Sequence, residues 1–507
     1  MSEAVAGDSA PLREAVLAGR YFGTRFAAAA ERVAAFLVAG RGEALLAWFG
    51  AAAGVGLIGD EAARRALLDR DIAAIDAMIG AALDAILHHP RLRRLEGSWR
   101  GLAWLAEGVD PAARVKVKVL AAGWAEICRD LERAAEFDQS LMFRKIYEEE
   151  FGSPGGEPYG MLVVDHEVRP RPAPGFPTDD VSALAALAGV AAGSFAPLII
   201  GAAPALLGVD EFADLATVAD PAAALNGPEH LRWRGISAQE DVRFVGIVLP
   251  RFLARPPWAD DPARGDGFRY RESAETVGER VWMNAAYGFA SVVVRAMVHH
   301  GWPAEVRGAD LDEVGGGVVT DLPHESADTD PPGVWTRPSP DVVLTDRQER
   351  SLVEAGLMPA TALAFTDEAM WGAVRSLQNP QRFMGANARA ANANARISAQ
   401  INSMLCVSRF AHYLKVRGRD MVGSFRTAEE IERDLQKWIG GYVNTNVSAG
   451  FAQRSRFPLV GARITVKEKP GRPGVFGCVF HLQPHFQLDD VSATFRLVTD
   501  IAAPAAR

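Results

Sequence analysis

The sequence predicts a mixed α/β (α+β) protein of two or three domains. Helical and strand patterns mix throughout, and at 507 residues the chain exceeds what one hydrophobic core usually serves. The last eighty residues place a charged, capped helix before strands of strict alternation.

Residues 1–59 are rich in Ala and Gly, show helical patches without strand patterns, and read as a leader. No signal peptide is expected, because Glu3 and Asp8 replace a basic start and Arg13 and Glu14 interrupt any early apolar run. Gly54–Gly59 (GVGLIG) matches GxGxxG and supports an alternative reading, a cytosolic nucleotide-binding oxidoreductase. Its context argues against that: Leu45–Ala53 is not strand-like, and Asp76 is the nearest acid to the expected ribose-binding position.

A long helix is expected from Asp60. Leu68, Ile72, Ile75, Ile79, Ala82 and Ile86 recur at heptad spacing, which suits either a partner helix or the core of the helix's own domain. Lys116–Leu120, with Val115, reads as a strand (VKVKVL). Helices follow through Ala125–Phe137 and Ser140–Phe151, then a glycine-rich connection to Gly160 and a short buried strand at Met161–Val164.

Pro170, Pro172, Pro174 and Pro177 make Glu167–Asp180 a loop. The uncharged stretch Val181–Val209 is long enough to span a bilayer. Pro197, Pro204 and the lack of flanking Lys and Arg favour instead a buried helix and a core strand around Leu198–Ile200. Strand Val242–Leu249, helix Val277–His300 and strand Glu305–Val306 are expected next, with loops near Arg255–Phe268 and His324–Asp341.

Near the C-terminus, Thr427 and Glu430 have capping-box spacing at the start of a helix over Thr427–Tyr442. Ile431, Leu435, Trp438, Ile439 and Tyr442 form its core stripe, leaving a charged face free. Ala462, Ile464 and Val466 then alternate with Arg463, Thr465 and Lys467, and Pro470–Gly474 reads as a turn. Cys478, Phe480 and Leu482 share one face of the next strand; Val491, Ala493, Phe495 and Leu497 share one face of the last. A terminal strand either closes within its own sheet or accepts a strand from another molecule.

Composition narrows the function. With 54 basic and 63 acidic residues the net charge is −9, without long charged blocks, which argues against a nucleic-acid surface or a polybasic membrane anchor. Cys128, Cys406 and Cys478 are too few and too far apart for a disulfide framework or a CxxC metal site, and a reducing cytosol fits them. The histidines at 88–89, 299–300, 481 and 485 lack metal-ligand spacing, and HExxH, GxSxG and Walker A motifs are absent.

Several segments are distinctive together: His88–Pro90, Leu95–Leu102 (LEGSWRGL), Tyr147–Gly152 with Gly155–Gly160, Glu240–Gly246 and Leu249–Leu253. Asn284–Ala290, Gly301–Trp302 with Arg307–Gly308, Thr345–Glu349, Arg409–Lys415 and Pro484–Leu488 continue the series. In this order and spacing they resemble the large sheath subunit of the type VI secretion system, the TssC or VipB family, from about residue 60 to about residue 501.

The resemblance implies a structural, non-enzymatic protein without cofactors, in a multidomain contractile-sheath fold whose C-terminal strands are exchanged between subunits. It implies a cytoplasmic location and assembly with the small sheath subunit (TssB or VipA) and with copies of itself. The Hcp inner tube, the baseplate and the recycling ATPase ClpV are the further implied partners. Residues 60–380 would form an N-terminal and middle sheath domain and 381–507 a C-terminal one. The capped helix would face the tube through Glu429, Glu430, Glu432 and Asp434. The terminal strands, with Cys478, Phe480, Leu482, Val491, Ala493, Phe495 and Leu497, would join neighbours. Leu68, Ile72, Ile75, Ile79 and Ile86 would bind the small subunit.

The chain departs from the family pattern at Asp165-His166-Glu167, where an acidic-Tyr-acidic element is usual, and at Pro338–Asp341, which replaces a Pro-Thr-Glu segment. Its first sixty residues also differ from the usual polar leader. These departures leave both a main sheath subunit and a divergent paralogue open.

Overall fold

A computed structural model describes residues 11–501 apart from 21–26, 154, 310–314, 327–328, 332–333, 335–336, 382, 386–387, 422–426, 447–449, 469–475 and 486–494. The chain divides into two units, Met1–Leu92 with Pro257–Glu275, and Arg93–Pro256 with Thr276–Arg507.

The first unit is helical. Leu12–Leu17, Ala27–Val38, Arg41–Phe49 and Ala51–Ile58 precede the long helix Glu61–Leu87, whose start is capped by Asp60 accepting the Ala63 N–H at 3.0 Å. Leu12, Val16, Trp48 and Phe49 are buried, and Leu67, Leu68 and Ile75 of the long helix pack against them. Asp71 is buried among these groups, held by Arg13 through two bonds of 2.7 and 2.6 Å and by Trp48 Nε1 at 2.9 Å. Gly54–Gly59 falls in the helix Ala51–Ile58 and its C-cap rather than in a strand-to-helix turn. Helical main-chain groups bond internally, so this segment forms no phosphate cradle and the oxidoreductase reading loses its basis.

The second unit is built on a parallel sheet of Leu162–Val168, Leu198–Ala202, Val245–Leu249 and Met358–Pro359, in that spatial order. Both faces are covered, as parallel sheets require. Leu198, Ile200, Val245 and Ile247 pack with the helix Asp180–Ser194, whereas Ile199, Val248 and Met358 pack with the helix Ala285–His300. At Gly246 a Cβ would lie 2.8 Å from both Ile199 Cδ1 and the Met358 sulfur, so a side chain there would have to displace these residues of the flanking strands. The expected pair of buried helix and core strand is thus Asp180–Ser194 and Leu198–Ala202. Among the described residues, no single helix is long and apolar enough to cross a membrane.

Several expected elements differ. The helix expected from Val277 starts at Ala285, because Asn284 Oδ1 caps it by accepting the Ala286 N–H, while Val281–Met283 pairs as a strand with Phe252–Arg255. Apolar residues on both sides of Asn284, Val281–Met283 and Ala285–Ala286, masked that boundary, although Asn284 is itself an N-cap residue type. The expected Val242–Leu249 strand begins at Val245, after a short 3-10 turn over Asp241–Phe244. After Leu141–Phe143 the chain winds as a π-helix over Arg144–Gly152, and Lys415 and Arg419 of the helix Ile401–Met421 hold it at Tyr147, Phe151 and Ser153. Glu305–Val306 and Lys116–Leu120 form no strand.

Candidate assembly interface

The terminal region is a three-stranded antiparallel sheet: Leu459–Glu468, Phe476–Pro484 and Phe495–Ile501. Its register pairs Ile464 with Phe480 and Val466 with Cys478 on one side, then Phe480 with Leu497 and Leu482 with Phe495 on the other. Ile464, Val466, Cys478, Phe480 and Leu482 are buried, as the alternation predicts. Val491, Ala493 and the Pro470–Gly474 turn lie outside the described residues.

The capped helix spans Ala428–Gly440 and packs on this sheet through Ile431, Leu435 and Ile439. Its capping box is complete: Thr427 Oγ1 accepts the Glu430 N–H at 3.3 Å, and Glu430 Oε2 accepts the Thr427 N–H at 3.0 Å. The Glu429 carboxyl is held below its ordinary range by its own N–H and by the Thr427 hydroxyl.

The helix also closes one edge of the sheet. Gln436 Nε2 donates to the Ala462 carbonyl at 3.0 Å, Gln436 Oε1 accepts the Ile464 N–H at 2.9 Å, and Glu432 Oε2 accepts the Val466 N–H at 2.8 Å. Side chains occupy the main-chain groups that an added strand would use there. On the opposite side the outer strand is Phe495–Ile501, paired among the described residues only with Phe476–Pro484. Sequence patterning assigns Gln436 to the free face and misses this role. The available signal is the i, i+4 spacing of Glu432 and Gln436 beside the core stripe.

The four acids of the helix therefore differ in surroundings. Glu430 completes the cap and Glu432 the edge, while Glu429 and Asp434 are exposed beside Arg433 and Lys437. In the first unit the heptad seam divides. Leu68 and Ile75 turn to the helical core, whereas Ile72, Ile79 and Ile86, seven residues apart, are 52, 40 and 58 % exposed. A 3.6-residue helix places the two rows of a heptad on either side of its midline, and the N-terminal helices cover only one row.

Of the positions that depart from the family pattern, Asp165 is exposed, His166 is half-buried against the buried Asp180, and Asp341 is buried. His166 stacks on Trp124 with centroids 4.2 Å apart, and its Nε2 lies 3.0 Å from Asp180. Asp180 also accepts bonds from Trp124 Nε1, Thr178 Oγ1 and the Arg169 N–H. Asp341 is buried and accepts from the Arg251 N–H and guanidinium. Burial pushes the Asp341 carboxyl up to about 6, against the pull of Arg251.

A large α/β body, a terminal sheet with one closed and one outer edge, and a helix with an uncovered apolar row define a structural assembly subunit. The family model described as EvpB/VC_A0108, tail sheath N-terminal domain, matches residues 69–378. The EvpB/VC_A0108 tail sheath gpW/gp25-like domain matches residues 390–501. The chain is 34 % identical over 435 residues to the type VI secretion system sheath protein TssC1 of Pseudomonas aeruginosa, covering 85 % of each chain. It belongs to the VipB family of type VI secretion sheath proteins, and is a structural subunit of the contractile sheath rather than an enzyme.

Proposed function

We propose that this subunit co-assembles with the small sheath subunit (TssB or VipA) and with copies of itself into a helical cytoplasmic sheath around the Hcp tube. The sheath is anchored at the baseplate and recycled after contraction by ClpV. Contraction draws on repacking of subunit interfaces rather than on chemistry at this chain. Residues 60–380 act as the N-terminal and middle sheath domain, and 381–507 as the C-terminal one, which joins neighbouring subunits.

The observation that carries this reading is the asymmetry of the terminal sheet. Gln436 and Glu432 close the Leu459–Glu468 edge, which leaves strand addition to the side of Phe495–Ile501. A heterologous contact of this kind, repeated, generates a helical array. Ile72, Ile79 and Ile86 supply the row for the small subunit, and Glu429 and Asp434 of the capped helix face the tube.

Co-expression with the small sheath subunit, followed by negative-stain microscopy, tests the reading. Hollow tubes are expected from the full chain and none after deletion of residues 475–507; tubes from the truncated chain would reject strand exchange. Changing Glu429 and Asp434 to Lys tests the tube contact while keeping Glu430, which completes the capping box, and the edge bonds of Glu432 and Gln436. Unaffected assembly on Hcp tubes would reject that role.

A further inference from the structure

The long helix Glu61–Leu87 is fastened by different segments along its length. Leu67, Leu68, Asp71 and Ile75 of its first half meet the N-terminal helices, and its second half meets a strap, Pro257–Glu275, of the same unit. Glu272 closes the base of the strap: its N–H donates to the Trp258 carbonyl at 2.9 Å, and its buried carboxylate accepts the Trp258 N–H at 2.8 Å.

The strap grips every fourth residue of the helix. The Arg269 N–H donates to Asp76 Oδ2 at 3.4 Å, Tyr270 OH donates to Asp84 Oδ1 at 2.7 Å, and Glu272 Oε1 lies 3.3 Å from His88 Nε2. Between these points a Cβ on Gly80 would lie 3.5 Å from Tyr270 Cδ2, so the ring rests on the helix where no side chain stands. Asp76, Gly80, Asp84 and His88 make one oblique stripe about 18 Å long. A helix held along such a stripe cannot roll about its axis.

The roll matters because of what lies beside the stripe. Asp76 and Asp84 are the charged residues of Ile72–Leu87, and the strap takes both, while Ile72, Ile79 and Ile86 are exposed. Asp76 stands about 40° round the helix from Ile72. A roll of that size would turn a carboxylate into an apolar contact, where an ion without a partner is costly.

We propose that the strap Pro257–Glu275 sets the roll of the long helix and so decides which row it offers to its partner, with Tyr270 as the positioning residue. The proposal rests on the sheath reading, in which the row of Ile72, Ile79 and Ile86 meets the small subunit.

Co-purification of the small subunit with full-length variants tests this. Tyr270→Ala removes the ring and the Asp84 bond, and is expected to lower co-purified small subunit about tenfold while helical circular dichroism is kept. Tyr270→Phe keeps the ring on Gly80 and recovers most of the loss. Added to I72S/I79S/I86S, Tyr270→Ala lowers co-purification no further, because both act through one row. Wild-type co-purification by Tyr270→Ala, or an additive loss in the combined variant, would overturn the positioning role alone. Loss of helical circular dichroism in Tyr270→Ala would show a merely structural strap and overturn it as well. If I72S/I79S/I86S by itself leaves co-purification unchanged, or the wild-type pair forms no complex, the reading of this row fails and the proposal falls with it.

Discussion

The side-chain carbonyl of Gln436 accepts the Ile464 N–H at 2.9 Å, in place of the bond a neighbouring strand would supply. With the Gln436 bond to Ala462 and the Glu432 bond to Val466, one helix closes a sheet edge that would otherwise pair with any extended chain. Losing these bonds frees main-chain groups for solvent or for a wrong partner. Q436A/E432A is expected to speed exchange of the Ile464 and Val466 amides by roughly tenfold, the equivalent of one net hydrogen bond. It should also raise light scattering of the isolated chain; unchanged exchange would mean the helix does not guard this edge.

Arg13 and Asp71 tie the helix Leu12–Leu17 to the long helix Glu61–Leu87. Burial works to raise the Asp71 pKa, but the bonds from Arg13 and Trp48 outweigh it and hold the carboxyl below its ordinary value. R13A leaves that carboxylate buried with only Trp48, and is expected to cost on the order of 3 kcal/mol in this unit. Limited proteolysis within residues 12–58 should accelerate accordingly. Because the folded pKa is depressed, Asp71 stabilises above its unfolded pKa of 3.8, and the contribution fades as pH falls through the lower folded value.

His412 is buried with Nε2 3.0 Å from the Ser194 carbonyl, so the neutral ring carries its proton on Nε2. Burial pushes its pKa down to about 4; the Ser194 bond opposes this, and Arg409 and Lys415 add to it. The unfolded chain protonates near 6.5 and the folded one does not, so stability falls as pH drops from 6.5 to 4, by about 3 kcal/mol. Denaturant midpoints measured across that range should slope for the wild type and flatten for H412Q.

The exposed row Ile72, Ile79 and Ile86 makes a separate prediction. Changing all three to Ser removes apolar surface that the isolated unit does not use, so the helical circular dichroism and melting of the isolated chain should change little. Co-purification of the small subunit should fall by about tenfold or more if burial of this row contributes at ordinary apolar magnitudes. Unchanged co-purification would return the heptad pattern to an ordinary core role.

Much of the terminal region was legible because its signals are local. The Thr427–Glu430 spacing, the stripe Ile431, Leu435 and Ile439, and the alternation of Cys478, Phe480 and Leu482 each describe one element and its own face. Val115–Leu120 alternates but forms no strand, for the complementary reason: a strand needs a partner, and alternation within one segment does not supply it. The start at Ala285 is marked only by Asn284 between two apolar stretches, and the helices of residues 11–59 give little signal because alanine and glycine have small side chains with which to mark a face.

By itself the sequence determined the α/β class, the capped helix, the buried faces of the strands Leu459–Glu468 and Phe476–Pro484 and, through its motif series, the sheath family. Each follows from residue identity at short spacing, where 3.6- and 2-residue periods act. Only the tertiary structure decided that Gln436 and Glu432 close one sheet edge, that the heptad seam splits into a covered and an uncovered row, and that Gly54–Gly59 is helical. Those outcomes depend on which distant segment arrives beside a given face, and burial and hydrogen-bond completion across the fold settle that competition.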